Sequence, residues 1–165
     1  VIPLEDVLIE PATIEDVSPL ADLLIELFTQ ERDFTPDREK QVRGLRLIIE
    51  SPNRGRVFVA RHNGKIIGMI NLLITISTAE GGFVLLLEDL IIAGPYRVMG
   101  VGTKLMEHAL HFAREKRFMR ITLLTDEEHD HANAFYEKHG FKRSNMIPMR
   151  LNLAVDLGET SGFPQ

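Results

Sequence analysis

Residues 83–92 constrain the fold more than any other stretch of the chain. They are apolar, with almost no alternation of apolar and polar positions before Glu88 and Asp89. A strand of that kind is covered on both faces, in the middle of a sheet. Gly94 and Pro95 then break the extended run, and residues 103–116 place Leu105, Met106, Ala109, Leu110, Phe112 and Ala113 along one side of an amphipathic helix. Residues 120–125 return as a strand, so strand, helix and strand form a right-handed crossover. Two charges inside a buried strand require an explanation, either a functional one or a structural ion pair with Arg97, Arg120 or His129.

Upstream, residues 2–9 read as a first strand that ends at Pro11. The residues from Thr13 to Asp16 resemble a capping box with Asp in place of Glu. Leu20, Leu23, Leu24, Leu27 and Phe28 follow at helical spacing, with Pro19 in the first turns. Thr35, Pro36 and Asp37 start a second helix, which carries Val42, Leu45, Ile48 and Ile49 and stops at Ser51, Pro52 and Asn53. Residues 56–61 and 66–78 form a hairpin around Asn63 and Gly64, and Glu80, Gly81 and Gly82 turn the chain into the buried strand. After the crossover, residues 132–139 form a short helix stopped by Gly140, and residues 149–154 a last strand. The predicted order is β-α-α-β-β-β-α-β-α-β, a mixed α/β sheet with antiparallel hairpins first and a parallel pair later. A single domain over residues 1–155 is expected, followed by a loose tail over 156–165.

Composition narrows the function. The chain has 165 residues, 44% of them hydrophobic, enough for one core without covalent staples. Cysteine is absent, which excludes disulfide scaffolds, cysteine nucleophiles and thiolate metal sites and is compatible with a reducing, cytoplasmic setting. Nineteen basic against twenty-four acidic residues give a net charge of -5, so there is no electrostatic case for a nucleic-acid partner. The longest apolar run, residues 66–76, is interrupted by Gly68 and Asn71 and falls short of the ~20 residues of a membrane span. Neither a membrane partner nor a secretory leader is expected.

Arg97, Val98, Met99, Gly100, Val101, Gly102, Thr103 and Lys104 lie between a strand end and a helix start. Free backbone N–H groups and the positive end of the helix dipole can hold a phosphate there. A dinucleotide fingerprint needs Gly or Ala where Leu105 stands, and a Walker loop needs Gly-Lys followed by Ser or Thr, so both readings fall. A bare pair of glycines is also compatible with a plain turn from strand to helix.

The Arg-x-x-Gly-x-Gly pattern from Arg97 to Gly102 resembles the pyrophosphate-binding loop of the GCN5-related N-acetyltransferase (GNAT) superfamily. Gly64 and Gly68 fit the family's hairpin, the run from Glu88 to Ile92 its central strand, and Ala132, Phe135, Tyr136, Glu137, Lys138, Gly140 and Phe141 its closing motif. Two positions depart from the family pattern. Val98 and Met99 stand where a Gly often follows the Arg, and His129 stands where many members carry Asn seven residues before the tyrosine. The resemblance implies the acyl-CoA N-acyltransferase fold, a mostly antiparallel sheet with a splayed parallel pair flanked by helices. It also implies acetyl-CoA as co-substrate, its phosphates on Arg97 to Lys104 and its pantetheine along Ile91 and Ile92. His129, Ala132 and Phe135 complete the donor contacts on the same ground.

Acetyl transfer from a thioester to an amine needs a base for the amine, a grip on the carbonyl oxygen and a proton for the departing thiolate. Tyr136 matches the family tyrosine that protonates the sulfur, and a neutral phenol suits that role. Glu88 matches the glutamate that deprotonates the acceptor in polyamine and glucosamine-phosphate acetyltransferases. Strict strand alternation would send Glu88 and Asp89 to opposite faces, so at most one faces the cleft. For the carbonyl, the family uses a strand N–H, which maps to Leu90, Ile91 or Ile92.

The run from Asp126 to His131 invites a metal reading, but an acidic loop before a helix explains it better, and no metal is expected. Its negative charge, with Glu80 and Glu88, favours a small cationic amine acceptor. The expected activity is thus direct N-acetyl transfer in a ternary complex. A non-catalytic acyl-CoA sensor or interaction module, a protein lysine or N-terminal acetyltransferase, and transfer of a longer acyl group are the competing readings. A homodimer through the last strand follows from the resemblance.

Overall fold

A computed structural model describes residues 1–31 and 33–155 of the chain. The expected tail over 156–165 lies outside the described residues. The backbone falls into two compact units, Val1–Thr125 and Asp126–Gln165.

In the first unit, β1 (Leu8–Pro11), β2 (Gly55–His62), β3 (Lys65–Ser77), β4 (Gly82–Ile92) and β5 (Ile121–Leu123) form one sheet in that order. Neighbours pair antiparallel from β1 to β4, and β4 pairs parallel with β5. The mixed sheet and its single parallel pair are as expected. The first strand starts later than predicted. Leu4–Asp6 closes a 3-10 turn instead, its bonds running from Asp6 N–H to the Pro3 carbonyl and from Val7 N–H to the Leu4 carbonyl. Pro11 is tolerated in β1 because β1 is a sheet edge. Asn63 and Gly64 take φ of 48° and 77°, the left-handed pair that a two-residue hairpin between β2 and β3 requires.

Helices α1 (Val17–Gln30) and α2 (Arg38–Ile49) begin where the caps predict. Asp16 and Thr13 form the capping box, Pro19 sits in the first turn of α1, and the Asp37 carboxylate accepts from Lys40 N–H. Leu20, Leu23, Leu24 and Leu45 of these helices pack with Val57, Val59, Met69 and Ile91 on one face of the sheet. Helix α3 (Val101–Glu115) covers the other face through Leu105, Met106 and Ala109. The close approach is visible at Gly68, where an added Cβ would lie 3.2 Å from Leu105 Cδ1. Each such buried Leu or Ile side chain contributes about 1.5–3 kcal/mol. Burial of β4 on both faces holds at Val84, Leu85 and Leu87, whereas Phe83, at the hairpin end, is exposed.

The second unit contains α4 (Asp130–Lys138). It ends in a Schellman motif, with Gly140 at φ 95°, Phe141 N–H bonded to the Tyr136 carbonyl and Gly140 N–H to the Glu137 carbonyl. The last strand predicted over 149–154 is not formed. Met149, Leu151 and Leu153 are exposed, and extended residues become a strand only when a neighbour completes their ladder. Among the described residues no helix is long and apolar enough to cross a membrane.

One charged cluster ties α1 to the sheet. Arg61 of β2 donates to both oxygens of buried Asp16, at 3.1 and 3.0 Å, and to Glu10 of β1 at 2.6 Å. Burial by itself would raise the pKa of Asp16. The bonds from Arg61 and from Thr13 N–H outweigh it and hold the carboxyl below its ordinary range. A depressed folded-state pKa stabilises the fold above the unfolded value, and that stabilisation is lost as pH falls through the folded value. Asp16→Asn is therefore expected to lower stability by about 1–3 kcal/mol near neutral pH. The gap to wild type should narrow below about pH 4. Urea denaturation of both proteins across that range checks it.

Candidate active site

The centre of the first unit is an irregularity in β4. Asn71 of β3 lies opposite Asp89 while Leu72 lies opposite Leu87, so Glu88 is an additional residue without a partner. The strict alternation assumed for Glu88 and Asp89 is thus interrupted between Leu87 and Asp89.

The extra residue also changes which backbone groups face which neighbour. Ahead of it, Leu85 N–H donates toward β5, to the Arg120 carbonyl at 2.9 Å. Beyond it, Ala93 N–H donates to the Ile67 carbonyl of β3 at 2.8 Å. An antiparallel ladder bonds every second residue, so Ile91 and Asp89 also turn to β3, and Leu90 and Ile92 turn away. They turn toward the side where β5 has already ended, since its pairing reaches only Leu87. Leu90 thus presents its main-chain groups, and Ile92 its N–H, on an edge that β5 leaves open, while the Ile92 carbonyl accepts from Arg97 Nε. Of the three strand residues predicted to meet the donor, Ile91 is committed to β3.

Asp89 is half-buried and accepts from Asn71 Nδ2 at 2.9 Å. Asn71 itself is 3% exposed, and its Oδ1 has no hydrogen-bond partner among the described residues. Burial above all, with the negative charges of Glu88 and Glu31, pushes Asp89 up to about 6 against the Asn71 bond. Glu88 is exposed.

Beyond β4 the chain makes a short 3-10 turn, Gly94–Tyr96, and enters α3. Val98 sits at φ 61°, a left-handed conformation that costs a β-branched residue about 1–3 kcal/mol. Gly100 caps α3 at φ 90°, and a Cβ there would meet Leu4 Cδ1 at 2.8 Å. Lys104 N–H makes the first bond of the helix, to the Gly100 carbonyl, which leaves the N–H groups of Val101, Gly102 and Thr103 without helical acceptors. The Lys104 ammonium donates to the carbonyls of Leu4 and Val7, at 2.6 and 2.5 Å. Arg97 donates from Nε to the Ile92 carbonyl at 3.0 Å and from Nη2 to Glu26 Oε1 at 2.9 Å.

The first unit therefore brings together Glu88, the open edge at Leu90 and Ile92, and the loop from Arg97 to Lys104. His129, Ala132, Phe135 and Tyr136 belong to the second unit, His129 as the cap residue of α4. There the Tyr136 ring packs edge-on against Phe135 and Phe141, at centroid distances of 5.5 and 5.9 Å. Asn133, buried, donates to the Asp126 carbonyl at 2.9 Å and shapes the acidic turn before the helix. Among the described residues, no three His, Asp or Glu side chains gather as metal ligands. Asn71, Asn133 and Glu26 escape the sequence reading. Asn71 alone left a trace, as a polar residue inside an apolar strand.

Residues 18–141 match the model of the acetyltransferase (GNAT) family. The chain belongs to that family. Among its relatives, the aminoalkylphosphonate N-acetyltransferase of Salmonella typhimurium is 27% identical over 134 residues, which cover 81% of this chain and 84% of the relative. Among solved structures, a possible acetyltransferase from Clostridium difficile 630 superposes with a TM-score of 0.81 at 16% identity, over 89% of this chain and 97% of the other. An aminoglycoside acetyltransferase from an uncultured soil metagenomic sample, in complex with sisomicin, gives 0.74 at 21% identity, over 90% and 97%. These two likenesses are of fold. Family and named relatives together make the GNAT chain an acyltransferase.

For a carboxyl whose folded-state pKa is raised, stability is fully present below the unfolded value and is lost as pH rises through the folded value, here about 6. Asn cannot ionise. Asp89→Asn is therefore expected to be more stable than wild type near about pH 7, with an advantage that shrinks toward about pH 4. Thermal unfolding of both proteins at the two pH values checks the sign.

Proposed function

We propose that the chain moves the acetyl group of acetyl-CoA directly to a primary amine of a small, cationic acceptor, both substrates being bound together. The observation that carries this reading is the extra residue Glu88. It ends the pairing of β4 with β5 and leaves Leu90 and the Ile92 N–H open, next in sequence to an exposed carboxylate. An amide-bearing chain can pair along that edge as a further strand. Its phosphates would meet the N–H groups of Val101, Gly102 and Thr103 at the start of α3.

The reaction forms an amide C–N bond and breaks the thioester C–S bond. Glu88 takes the proton that the amine gives up, directly or through water, and an N–H of the open edge holds the carbonyl oxygen. Tyr136 gives its phenolic proton to the sulfur, a role that rests on the family pattern around α4. No covalent acyl-enzyme is invoked, since the chain has no cysteine. Glu31, Glu88 and Asp89 add negative charge that favours a cationic amine. The relatives named for aminoalkylphosphonate and aminoglycoside support a small acceptor. The family match runs across both units, which supports reading residues 1–155 as one catalytic domain.

Thiol release from acetyl-CoA on a panel of cationic and neutral amines tests the proposal. Tyr136→Phe and Glu88→Gln are each expected to lower kcat by about 10²–10⁴-fold while acetyl-CoA still binds. Variants within twofold of wild type would remove those roles, and a preference for neutral amines would remove the cationic acceptor.

A further inference from the structure

Glu26 lies on α1, the helix that packs over one face of the sheet, yet its carboxylate reaches the loop that leads into α3. Its Oε1 accepts from Gly94 N–H at 3.0 Å and from Arg97 Nη2 at 2.9 Å. Arg97 in turn donates from Nε to the Ile92 carbonyl at 3.0 Å. One carboxylate oxygen thereby gathers two donors of the turn, and the guanidinium bridges from that oxygen to the open edge of β4.

This arrangement contributes little to folding by itself. The two side chains of the pair are 40% and 36% exposed, and ion pairs at such exposure are weak. Its effect is on orientation. A guanidinium is planar and carries five N–H donors in a fixed fork, so holding Nε and one Nη2 proton sets where the remaining three point. The clamp also fixes Arg97 next to Val98, whose left-handed backbone persists only if its neighbours hold it.

We infer that Glu26 is a positioning residue for the acyl-CoA site. From α1 it holds Arg97 and the turn at Gly94, so that the free donors of Arg97 and the N–H groups at the start of α3 are set for the donor's phosphates. The inference rests on the proposed assignment of the loop to those phosphates and adds to it a residue 71 positions earlier in the chain. Glu26 also borders a pocket of about 440 Å³ that includes Asp16, Asp22, Arg61 and Lys65. A contact with the amine acceptor is therefore the rival role.

Calorimetric titration of the full chain with coenzyme A decides between them, with thermal unfolding of each variant alongside. Glu26→Ala is expected to weaken coenzyme A binding by about tenfold, while Glu26→Gln, which keeps an acceptor oxygen in place, restores most of it. The Glu26→Ala/Arg97→Ala double variant should lose less than the product of the single losses, because both act through one contact. Arg97→Lys keeps a charge but cannot bridge Glu26 and Ile92, so it should bind nearly as weakly as Arg97→Ala. That variant decides the matter even if Glu26→Ala folds poorly. If wild type binds coenzyme A and both Glu26→Ala and Arg97→Lys bind equally well, this inference falls and the loop assignment stands. Independent, multiplicative losses would also overturn it. Wild type that binds no coenzyme A overturns the loop assignment and this inference with it.

Discussion

The open edge of the first unit depends on one residue too many in β4. A strand that paired without interruption with β3 would keep its phase, and the residues that bond to β5 near Leu85 and Leu87 would belong to the same alternating set up to its end. Because Glu88 has no partner, the phase shifts by one. Asp89 and Ile91 turn to β3, and Leu90 and Ile92 turn to a side that β5 no longer covers. An open strand edge is a liability in most proteins, since it invites any passing strand. Here it is short, lies beside a carboxylate and leads into the start of a helix.

The surroundings of that edge are held by contacts between distant parts of the chain. Lys104 draws the segment around Leu4 onto α3, and Leu4 fills the space above Gly100 that a side chain would need. Glu26 draws the other end of the loop to α1. Between them Val98 keeps a backbone conformation that an isolated peptide would avoid. The loop is thus braced from both sides, and the proposed phosphate site built from backbone N–H groups would need such bracing to act without reorganising.

Much of this was legible in the residues. Asn63 and Gly64 dictated the hairpin, Gly140 the end of α4, and the apolar stripe of residues 103–116 the helix that crosses over to β5, because each is a local signal read within one turn. The capping box from Thr13 to Asp16 was legible for the same reason. The shift at Glu88 was not, since register is settled by pairing with β3, about eighteen residues away in sequence, and no local pattern marks which residue is left over. The strand expected over residues 149–154 failed because apolar residues specify a strand only where a neighbour bonds to them. Glu26 carried no signal in the residues, because its partners Gly94 and Arg97 lie 68 and 71 positions away. Asp89, which received no role from the residues alone, is the carboxyl pushed up to about 6, since burial beside Asn71 is a property of the folded sheet.

Amide hydrogen exchange read residue by residue, with and without coenzyme A, tests the role of the extra residue most directly. In the free protein, Asp89 and Ile91 should exchange slowly and Leu90 and Ile92 fast, and coenzyme A should slow Leu90 and Ile92 alone among the four. Uniformly slow exchange from Asp89 to Ile92 in the free protein, or coenzyme A bound with Leu90 and Ile92 still fast, would contradict the account.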